Sequence, residues 1–432
     1  MDEIRKVQVS GFKTLRECEL DLQPLNLLIG PNGAGKSNLM SLFGLLYDAM
    51  DAHLQVHVAQ QGGADSLLHE GSKRTGKMNL RFEFSVEHMH SAYTVELEVA
   101  AGDSLAVASE RLGYQLGLGM SKQELALGGG RKELLLALHG KGDDDLAHLL
   151  QGAQADPAFF LRTLAARSGV PPVILAAGQA DGNLLAQAQF AVARGYSVED
   201  FFRALARTAD TIKAICQTFR VYHFNDTSPS AAIKRQGDIN DNRFLRPDGG
   251  NLAAFLYRLR SNHPAHYEKI RDTIRLAAPF FDDFRLAPLV LNAQRLLLEW
   301  KDRFSDRYFN ASHLPDGLLR FMCLATLLLQ PDPPPLIMID EPELGLHPYA
   351  VGVLSGLLRG ASTRSQLLVA THSVLLLDDV DDVSAVVICE RTQGESVFHR
   401  ADPDTLQPWL EDYSLSEIWQ KNVPGFGGRP RS

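Results

Sequence analysis

The sequence lacks three features that would each assign it to a class. No apolar run reaches the roughly 20 residues of a bilayer-spanning helix, and the N-terminus has no basic start and apolar run of a signal peptide. The four cysteines, Cys18, Cys216, Cys323 and Cys389, have neither pairing nor metal-ligand spacing. Basic residues are fewer than acidic ones, and the net charge of −9 argues against a protein that coats nucleic acid by charge alone. We therefore expect a reduced, cytoplasmic protein without membrane association.

A glycine-rich stretch near the N-terminus has the pattern of a phosphate-binding loop. It runs Gly30-Pro31-Asn32-Gly33-Ala34-Gly35-Lys36-Ser37, a glycine, four free positions and then Gly-Lys-Ser. An apolar strand is predicted before it, at residues 25–29, and residues 39–50 are apolar at helical spacing. Backbone N–H groups at such a helix start bind phosphate, Lys36 would reach the β and γ phosphates of ATP, and Ser37 would hold Mg²⁺. The stretch predicts a site for ATP and Mg²⁺.

A second stretch, far along the chain, supplies carboxylates. Residues 336–339 are a short apolar run, typical of a strand buried on both faces of a parallel sheet, and Asp340-Glu341 follows directly. Asp340 is expected to join Ser37 as a metal ligand. Glu341 is the expected catalytic base for the attacking water. An acidic turn without function is the ordinary alternative for such a pair.

The pattern along the chain predicts a core that is interrupted by an insertion. Residues 80–86 and 93–99 alternate apolar with polar, as half-buried antiparallel strands do. From about residue 144 to 218 the chain is rich in Ala and Leu at helical spacing. We expect the N-terminal part of the core at residues 1–140, an inserted, mainly helical lobe at 141–283, and the C-terminal part of the core at 284–432.

Part of the expected lobe, residues 234–275, is a basic segment inside an acidic protein. Its cations are Lys234, Arg235, Arg243, Arg246, Arg258, Arg260, Lys269, Arg271 and Arg275. Most such runs are solvated helix faces. A local patch that binds DNA is the alternative, and the sequence leaves both open.

Together the motifs resemble the branch of ABC-type ATPases that contains RecF, the SMC proteins and the ATPase domain of the OLD family. The likeness is carried by Gly11-Phe12-Lys13, the stretch from Leu28 to Asn38, Asp340-Glu341-Pro342-Glu343, Gly345-Leu346-His347-Pro348 and Thr371-His372-Ser373. Other stretches are similar to a group of stand-alone bacterial "AAA family ATPases": residues 62–69, 222–229, 248–251 and 409–415. The implied fold is an α/β P-loop NTPase core of the ABC/SMC-head type. It has a mixed sheet flanked by helices, an antiparallel β subdomain and an inserted α-helical lobe.

The resemblance implies that ATP binds between two copies placed head to tail. Each copy would offer its phosphate loop, Gly30 to Asn38, to one nucleotide and its signature turn to the other. Leu314-Pro315-Asp316-Gly317 occupies the signature position, so Asp316 and Gly317 are expected to contact the nucleotide of the partner copy. Pro315 replaces a usual serine and lacks its hydroxyl and N–H. Because proline suits a first helical turn, the turn can form, but slow hydrolysis is expected.

Three further roles follow from the resemblance. His372 is expected to sense the γ-phosphate, although a histidine after a strand is usually a polar loop residue. Gln60 or Gln61 is a candidate for the glutamine that senses Mg²⁺. His347 is expected at the dimer seam as a structural or interface residue. An OLD-type nuclease domain is not expected, since the chain ends soon after His372.

The expected function is an ATP-hydrolysing switch that dimerises around ATP in DNA metabolism, repair or anti-phage defence. The alternative is a regulatory module that controls a partner effector, such as a nuclease or toxin from a neighbouring gene, without contacting DNA. The negative charge favours the alternative, and the basic segment favours DNA. A transporter motor also fits the ATP motifs, but the Gly11-Phe12-Lys13 start, the degenerate signature and the large insertion count against it.

Overall fold

The computed structural model describes residues 3–51, 53–86, 89–115, 123–126, 207–208, 210–380, 382–423 and 426. The chain divides into two compact units. The first unit combines Met1–Asp21 with Asp48–Gln217, and the second combines Leu22–Tyr47 with Thr218–Ser432. The phosphate loop, the acidic pair, His372 and the signature turn all belong to the second unit.

The described strands, in chain order, are β1 (Glu3–Phe12), β2 (Leu15–Asp21), β3 (Leu25–Ile29), β4 (Lys77–Val86), β5 (Met89–Ala100), β6 (Ser104–Gln115), β7 (Gln123–Ala126), β8 (Val221–Tyr222), β9 (Gly237–Asp238), β10 (Phe281–Arg285), β11 (Arg295–Leu296), β12 (Glu299–Asp302), β13 (Tyr308–Asn310), β14 (Leu336–Asp340), β15 (Gln366–Thr371), β16 (Val386–Thr392) and β17 (Glu395–Arg400).

The named α-helices are α1 (Lys36–Met50), α2 (Leu54–Gln60), α3 (Ala64–Leu67), α4 (Leu252–Asn262), α5 (Pro264–Ala277), α6 (Asp316–Leu329), α7 (Pro348–Ser362), α8 (Leu375–Asp378), α9 (Pro403–Leu410) and α10 (Leu415–Gln420).

The first unit is built on an antiparallel sheet with the strand order β2-β1-β4-β5-β6-β7. The alternating pattern of β4 explains its place, because every second side chain is buried: Met78, Leu80, Phe82, Phe84 and Val86. β4 pairs with β5 along the whole length of β4, from Lys77 to Val86. The two antiparallel strands predicted from alternation are confirmed.

The second unit contains a six-stranded mixed sheet with the order β17-β16-β3-β15-β14-β8. β16, β3, β15, β14 and β8 run parallel, and β17 is an antiparallel edge strand. β14 and β15 are apolar because helices cover the sheet, and the apolar helix α6 is buried along most of its length. Parallel pairing places the carboxyl ends of these strands at one edge of the sheet.

The compact units differ from the expected segments. β8, α4 and α5 lie within the expected lobe at 141–283 but belong to the second unit. Val221 of β8 pairs with Met338 of β14, and Leu256 and Ile270 are in the same apolar cluster as Ile339. The shift in composition marked the stretch but did not show where its apolar faces pack. Residues 141–206 lie outside the described residues, so a helical lobe there stays a prediction.

Two expectations from the sequence can be compared with the described residues. Among them, no helix has both the length and the apolar character needed to cross a membrane. None of the four cysteines, all of which lie in described parts of the chain, forms a disulfide, and Cys216, Cys323 and Cys389 are buried.

The space around two glycines, one packed against β16 and one open, predicts opposite effects of replacing them with alanine. A Cβ on Gly30 would lie 2.1 Å from the carbonyl oxygen of Cys389. Gly30→Ala should therefore lower the free energy of unfolding by at least about 2 kcal/mol. Gly356, in α7, has nothing within 4 Å of an added Cβ, so Gly356→Ala should raise it by about 1 kcal/mol. Urea unfolding followed by circular dichroism measures both, and a Gly30→Ala protein as stable as the parent would contradict the contact.

Candidate functional site

Four segments of the second unit meet at the carboxyl edge of its parallel sheet. They follow β3, β14, β15 and β8 in the structure. The first three carry the predicted pairs Lys36-Ser37 and Asp340-Glu341 and the predicted His372. The fourth carries His223, which the sequence analysis assigned no role.

The phosphate loop lies between β3 and α1, as predicted. Lys36 is the first residue of α1, and its Nζ donates to the carbonyl oxygens of Gly30 at 2.7 Å and Pro31 at 3.2 Å. Gly33 and Gly35 have φ values of 77° and 105°, a region that favours glycine. Lys36 is only 6% exposed, and this burial lowers the pKa of its ammonium group. A phosphate bound in the loop would offset that cost with its negative charge.

The predicted metal ligands are in direct contact. Ser37 Oγ donates to Asp340 Oδ2 at 3.1 Å, across 303 positions of sequence. Mg²⁺ in phosphate-transfer sites is usually held by one or two protein oxygens together with phosphate oxygens and water. No group of three His, Cys, Asp or Glu that could hold a metal occurs among the described residues. The pair therefore fits Mg²⁺ that arrives with a nucleotide better than a metal held by protein alone.

The predicted catalytic residues also lie together. Glu341 Oε1 is 3.6 Å from His372 Nε2. Glu341 has a φ of 49°, in the left-handed region that side chains rarely adopt, and its N–H donates to the carbonyl oxygen of Ala370 at 2.8 Å. Such backbone strain costs about 1–3 kcal/mol and is concentrated at functional sites. The strand pairing holds Glu341 in this conformation at the end of β14.

A second glutamate of the same turn fixes the His372 loop, a role that the sequence analysis missed. Glu343 Oε1 accepts hydrogen bonds from the backbone N–H groups of His372 at 2.8 Å and Ser373 at 3.0 Å. Its other oxygen, Oε2, is buried and has no hydrogen-bond partner within the described residues. The only signal in the sequence was the position of Glu343 in Asp-Glu-Pro-Glu, which gives no information about a partner in the next loop.

Two family models match the chain, and their matched stretches include this site. Residues 3–163 match the model described as "AAA ATPase domain", and residues 195–378 match "AAA domain, putative AbiEii toxin, Type IV TA system". No curated protein matches the chain significantly.

Solved structures of SMC heads have a similar fold. One is an SMC head bound to the C-terminal winged-helix domain of ScpA, with a TM-score of 0.53, 12% identity, and coverage of 94% of this chain and 99% of that chain. Another is an SMC head with an extended coiled coil bound to the C-terminal domain of ScpA, derived from Pyrococcus furiosus, with a TM-score of 0.50, 13% identity, and coverage of 95% and 99%. The chain thus resembles AAA ATPase domains in sequence over residues 3–163 and 195–378, and it resembles SMC heads in fold. The predicted P-loop NTPase fold of the SMC-head type is thereby confirmed.

The expected signature turn begins α6. Pro315 precedes the helix with φ −57° and ψ 139°, as an N-cap without a side-chain hydrogen bond. Asp316 is exposed, and its Oδ1 lies 3.3 Å from Nζ of Lys234. A Cβ on Gly317 would lie 2.0 Å from the carbonyl oxygen of Gly345, which follows β14. The turn therefore packs directly on the loop that carries the acidic pair, whereas its expected contact with a second nucleotide stays a prediction.

Arg320 of α6 strengthens this connection. Its guanidinium donates to the carbonyl oxygens of Leu344 at 2.9 Å, Asn225 at 3.0 Å and Phe224 at 3.2 Å. One side chain thus joins the signature helix to the loop after β14 and to the loop after β8. This role was not predictable from sequence either, because neither loop is near Arg320 along the chain.

The remaining candidates are placed by the structure without a tested role. His347 is the N-cap of α7, and its Nδ1 accepts from the N–H of Tyr349 at 3.2 Å. Gln60 ends α2 in the first unit. Gln61 follows it, and its Oε1 accepts from Nζ of Lys13 at 3.3 Å. A role of either glutamine in sensing Mg²⁺ stays a prediction.

The Glu343 contacts predict a local effect on backbone protection. Glu343→Ala should speed hydrogen exchange of the His372 and Ser373 amides on the order of tenfold, because two hydrogen bonds are lost. Glu343→Gln keeps an acceptor oxygen and should retain most of the protection. Exchange followed by mass spectrometry on the peptide around residue 372 measures this. Glu411→Ala, at an exposed site, is the control, and equal exchange in all four proteins would contradict the clamp.

Proposed function

We propose that this ATPase is a switch that binds ATP and Mg²⁺ at the carboxyl edge of the parallel sheet, hydrolyses ATP slowly and dimerises head to tail around it. One observation carries the proposal. The lysine of the phosphate loop, the Ser37–Asp340 contact and the Glu341–His372 pair come from distant segments and converge at one edge. Phosphoryl transfer needs this set: a cation, a metal site and a base for water.

Each residue has a defined task in the proposed reaction. Lys36 exchanges its two carbonyl contacts for oxygens of the β and γ phosphates. Ser37 and Asp340 would hold Mg²⁺, which when bound would neutralise phosphate charge. Glu341 orients the attacking water and accepts its proton, while His372 donates to the γ-phosphate from the loop that Glu343 holds. The slow hydrolysis of ATP is attributed to Pro315, which offers no hydroxyl to the nucleotide of the partner copy.

The cations of the basic segment favour a protein target over DNA. Most are already used inside the chain by carbonyl oxygens or carboxylates, which leaves fewer for a phosphate backbone. The contacts are Arg258 with Asn242 and Arg243, Arg260 with Leu286, Arg246 with Asp241, Arg271 with Asp272, Arg275 with Asp272 and Asp282, and Lys234 with Thr227 and Asp316.

Similar solved structures support the same preference. Both SMC heads are bound to a domain of another protein, ScpA. We therefore infer that nucleotide turnover in this chain controls a partner protein, such as an effector nuclease or toxin, in DNA repair or anti-phage defence. Direct contact with DNA is the second candidate function. It is supported by those cations of the basic segment whose side chains are exposed.

The catalytic assignment predicts different effects of two substitutions. Glu341→Gln should keep ATP affinity and slow hydrolysis by about a hundredfold or more, because a positioned base is lost. Lys36→Ala should abolish ATP binding with the fold intact, because the only loop cation is removed. Calorimetry measures binding and phosphate release measures turnover.

In light scattering with ATP and Mg²⁺, Glu341→Gln should be at least as dimeric as the parent. If Glu341→Gln is strictly monomeric at saturating ATP, the proposed head-to-tail dimer is contradicted. If Lys36→Ala binds ATP with unchanged affinity, the proposed nucleotide site at the phosphate loop is contradicted.

The signature assignment predicts that Pro315→Ser raises turnover. A serine hydroxyl bonded to a charged phosphate contributes about 1.5–3 kcal/mol, which corresponds to tenfold or more if the contact strengthens in the transition state. Pro315→Ala restores only the N–H and should raise turnover less. Phosphate release measures the rates, and melting temperature is the control for stability. Equal rates in the three proteins would mean that Pro315 only begins α6.

The partner-protein assignment predicts weak DNA binding. The parent should show little affinity for DNA at physiological salt, and Arg243→Ala, Arg246→Ala and Arg258→Ala combined should not change it. If the segment does bind DNA, affinity must fall steeply with salt, and the triple variant must flatten that slope. Fluorescence anisotropy over a salt series distinguishes the two candidates, and a steep slope that depends on these arginines would favour direct DNA contact.

A further inference from the structure

We propose that His223 is a third protein ligand of the ATP-bound metal ion, beside Ser37 and Asp340. The inference rests on the proposed function, and it gives this chain a nitrogen ligand that neither the motifs nor the family models assign. His223 Nδ1 lies 3.8 Å from Asp340 Oδ2, the same carboxylate oxygen that accepts from Ser37 Oγ. Ser37 Oγ and His223 Nδ1 thus both lie within 4 Å of one carboxylate oxygen.

The strand register places His223 beside Asp340. β8 runs parallel to β14, with Tyr222 opposite Ile339. The next position on each strand is therefore His223 and Asp340, and both come at the carboxyl edge where the phosphate loop ends. The pairing of backbones, rather than a flexible side chain, sets this proximity.

The neighbours of His223 fix its backbone and leave its ring accessible. Tyr222 and Phe224 are buried on either side of it in sequence, and the His223 side chain is 50% exposed. Its N–H donates to the carbonyl oxygen of Pro247 at 3.1 Å, and Arg320 holds the carbonyl oxygen of Phe224. The backbone of His223 is anchored on both sides while its ring is open to solvent, so the ring can contact a ligand without rearrangement of the core.

The two distances to Asp340 Oδ2 can be compared with the spacing of ligands around one cation. Two ligands about 2.1 Å from an octahedral ion are about 3.0 Å apart when adjacent and about 4.2 Å apart when opposite. The Ser37–Asp340 separation of 3.1 Å matches adjacent ligands. The His223–Asp340 separation of 3.8 Å lies between the two limits.

The simplest competing explanation is an ion pair. His223 would then contact Asp340 only while the carboxylate has no metal, and would leave when Mg²⁺ and ATP bind. The two explanations differ in one observable, the presence of an imidazole nitrogen on the metal in the ATP complex. They also differ in metal preference, because a nitrogen ligand favours Mn²⁺ or Co²⁺ over Mg²⁺ relative to a site of oxygens alone.

The experiment uses Mn²⁺ as the probe in the full chain with ATP. Pulsed electron paramagnetic resonance detects ¹⁴N directly bonded to Mn²⁺, and the loss of the free-ion signal gives Mn²⁺ affinity. We expect ¹⁴N coupling in the parent, its loss in His223→Gln, and its retention in His372→Gln, which removes the other histidine of the site. His223→Ala should weaken ATP-dependent Mn²⁺ affinity tenfold or more. His223→Gln should also shift the Mn²⁺-to-Mg²⁺ affinity ratio toward Mg²⁺.

The outcomes separate this inference from the proposed function. Mn²⁺ bound with ATP but without ¹⁴N coupling overturns His223 as a ligand. Coupling that persists in His223→Gln and disappears in His372→Gln assigns the nitrogen ligand to His372, and it likewise overturns His223 as a ligand. Absence of ATP-dependent Mn²⁺ binding in a folded parent overturns the proposed function itself. Melting temperatures establish that each variant is folded, which a half-exposed polar position favours.

Discussion

Parallel pairing of β3 with β15 is the interaction on which the site depends. Leu28 pairs with Ala370, and Leu368 pairs in turn with Met338 of β14, so backbone hydrogen bonds join segments from both ends of the chain. Asn26, fully buried, strengthens the join, since its side chain donates to the carbonyl oxygens of Gln23 and Leu367 and accepts from Arg400. Without this sheet the phosphate loop and the acidic pair would have no common edge.

The turn after β14 connects the parts of the site. Two glutamates of this turn contact the loop after β15. Glu341 faces His372, and Glu343 accepts a hydrogen bond from the His372 N–H. A few residues on, Gly345 packs against Gly317 of the signature turn and Leu344 accepts from Arg320. Glu341, the loop of His372 and helix α6 are therefore all connected through one short segment. A displacement of that segment would reach α6 through backbone contacts that leave no space for independent movement.

Charge in this protein acts locally. The chain has a net charge of −9, yet its phosphate loop contains a buried lysine that is held by carbonyl oxygens. The arginines of the basic segment mostly bind carbonyl oxygens and carboxylates of their own unit, so a count of charges overstated the surface available for DNA. A buried cation in a loop of backbone N–H groups attracts a phosphate far more strongly than the same charge in solvent.

The sequence by itself determined the local parts of the site. The glycine spacing at Gly30 to Ser37, with its flanking strand and helix, and the apolar run before Asp340 are set by neighbours within a few residues, so their patterns predict them. The antiparallel strands of the first unit were predictable for the same reason, because alternation along one strand shows which face is buried.

Only the tertiary structure decided which of these parts touch. The roles of Glu343, Arg320 and His223 depend on partners in other loops, and the register of β8 on β14 alone places His223 beside Asp340. The assignment of residues 221–283 to the unit of the phosphate loop likewise follows from packing that composition does not reveal. Backbone pairing between distant strands has little side-chain signature, because any apolar strand of suitable length could occupy the neighbouring position.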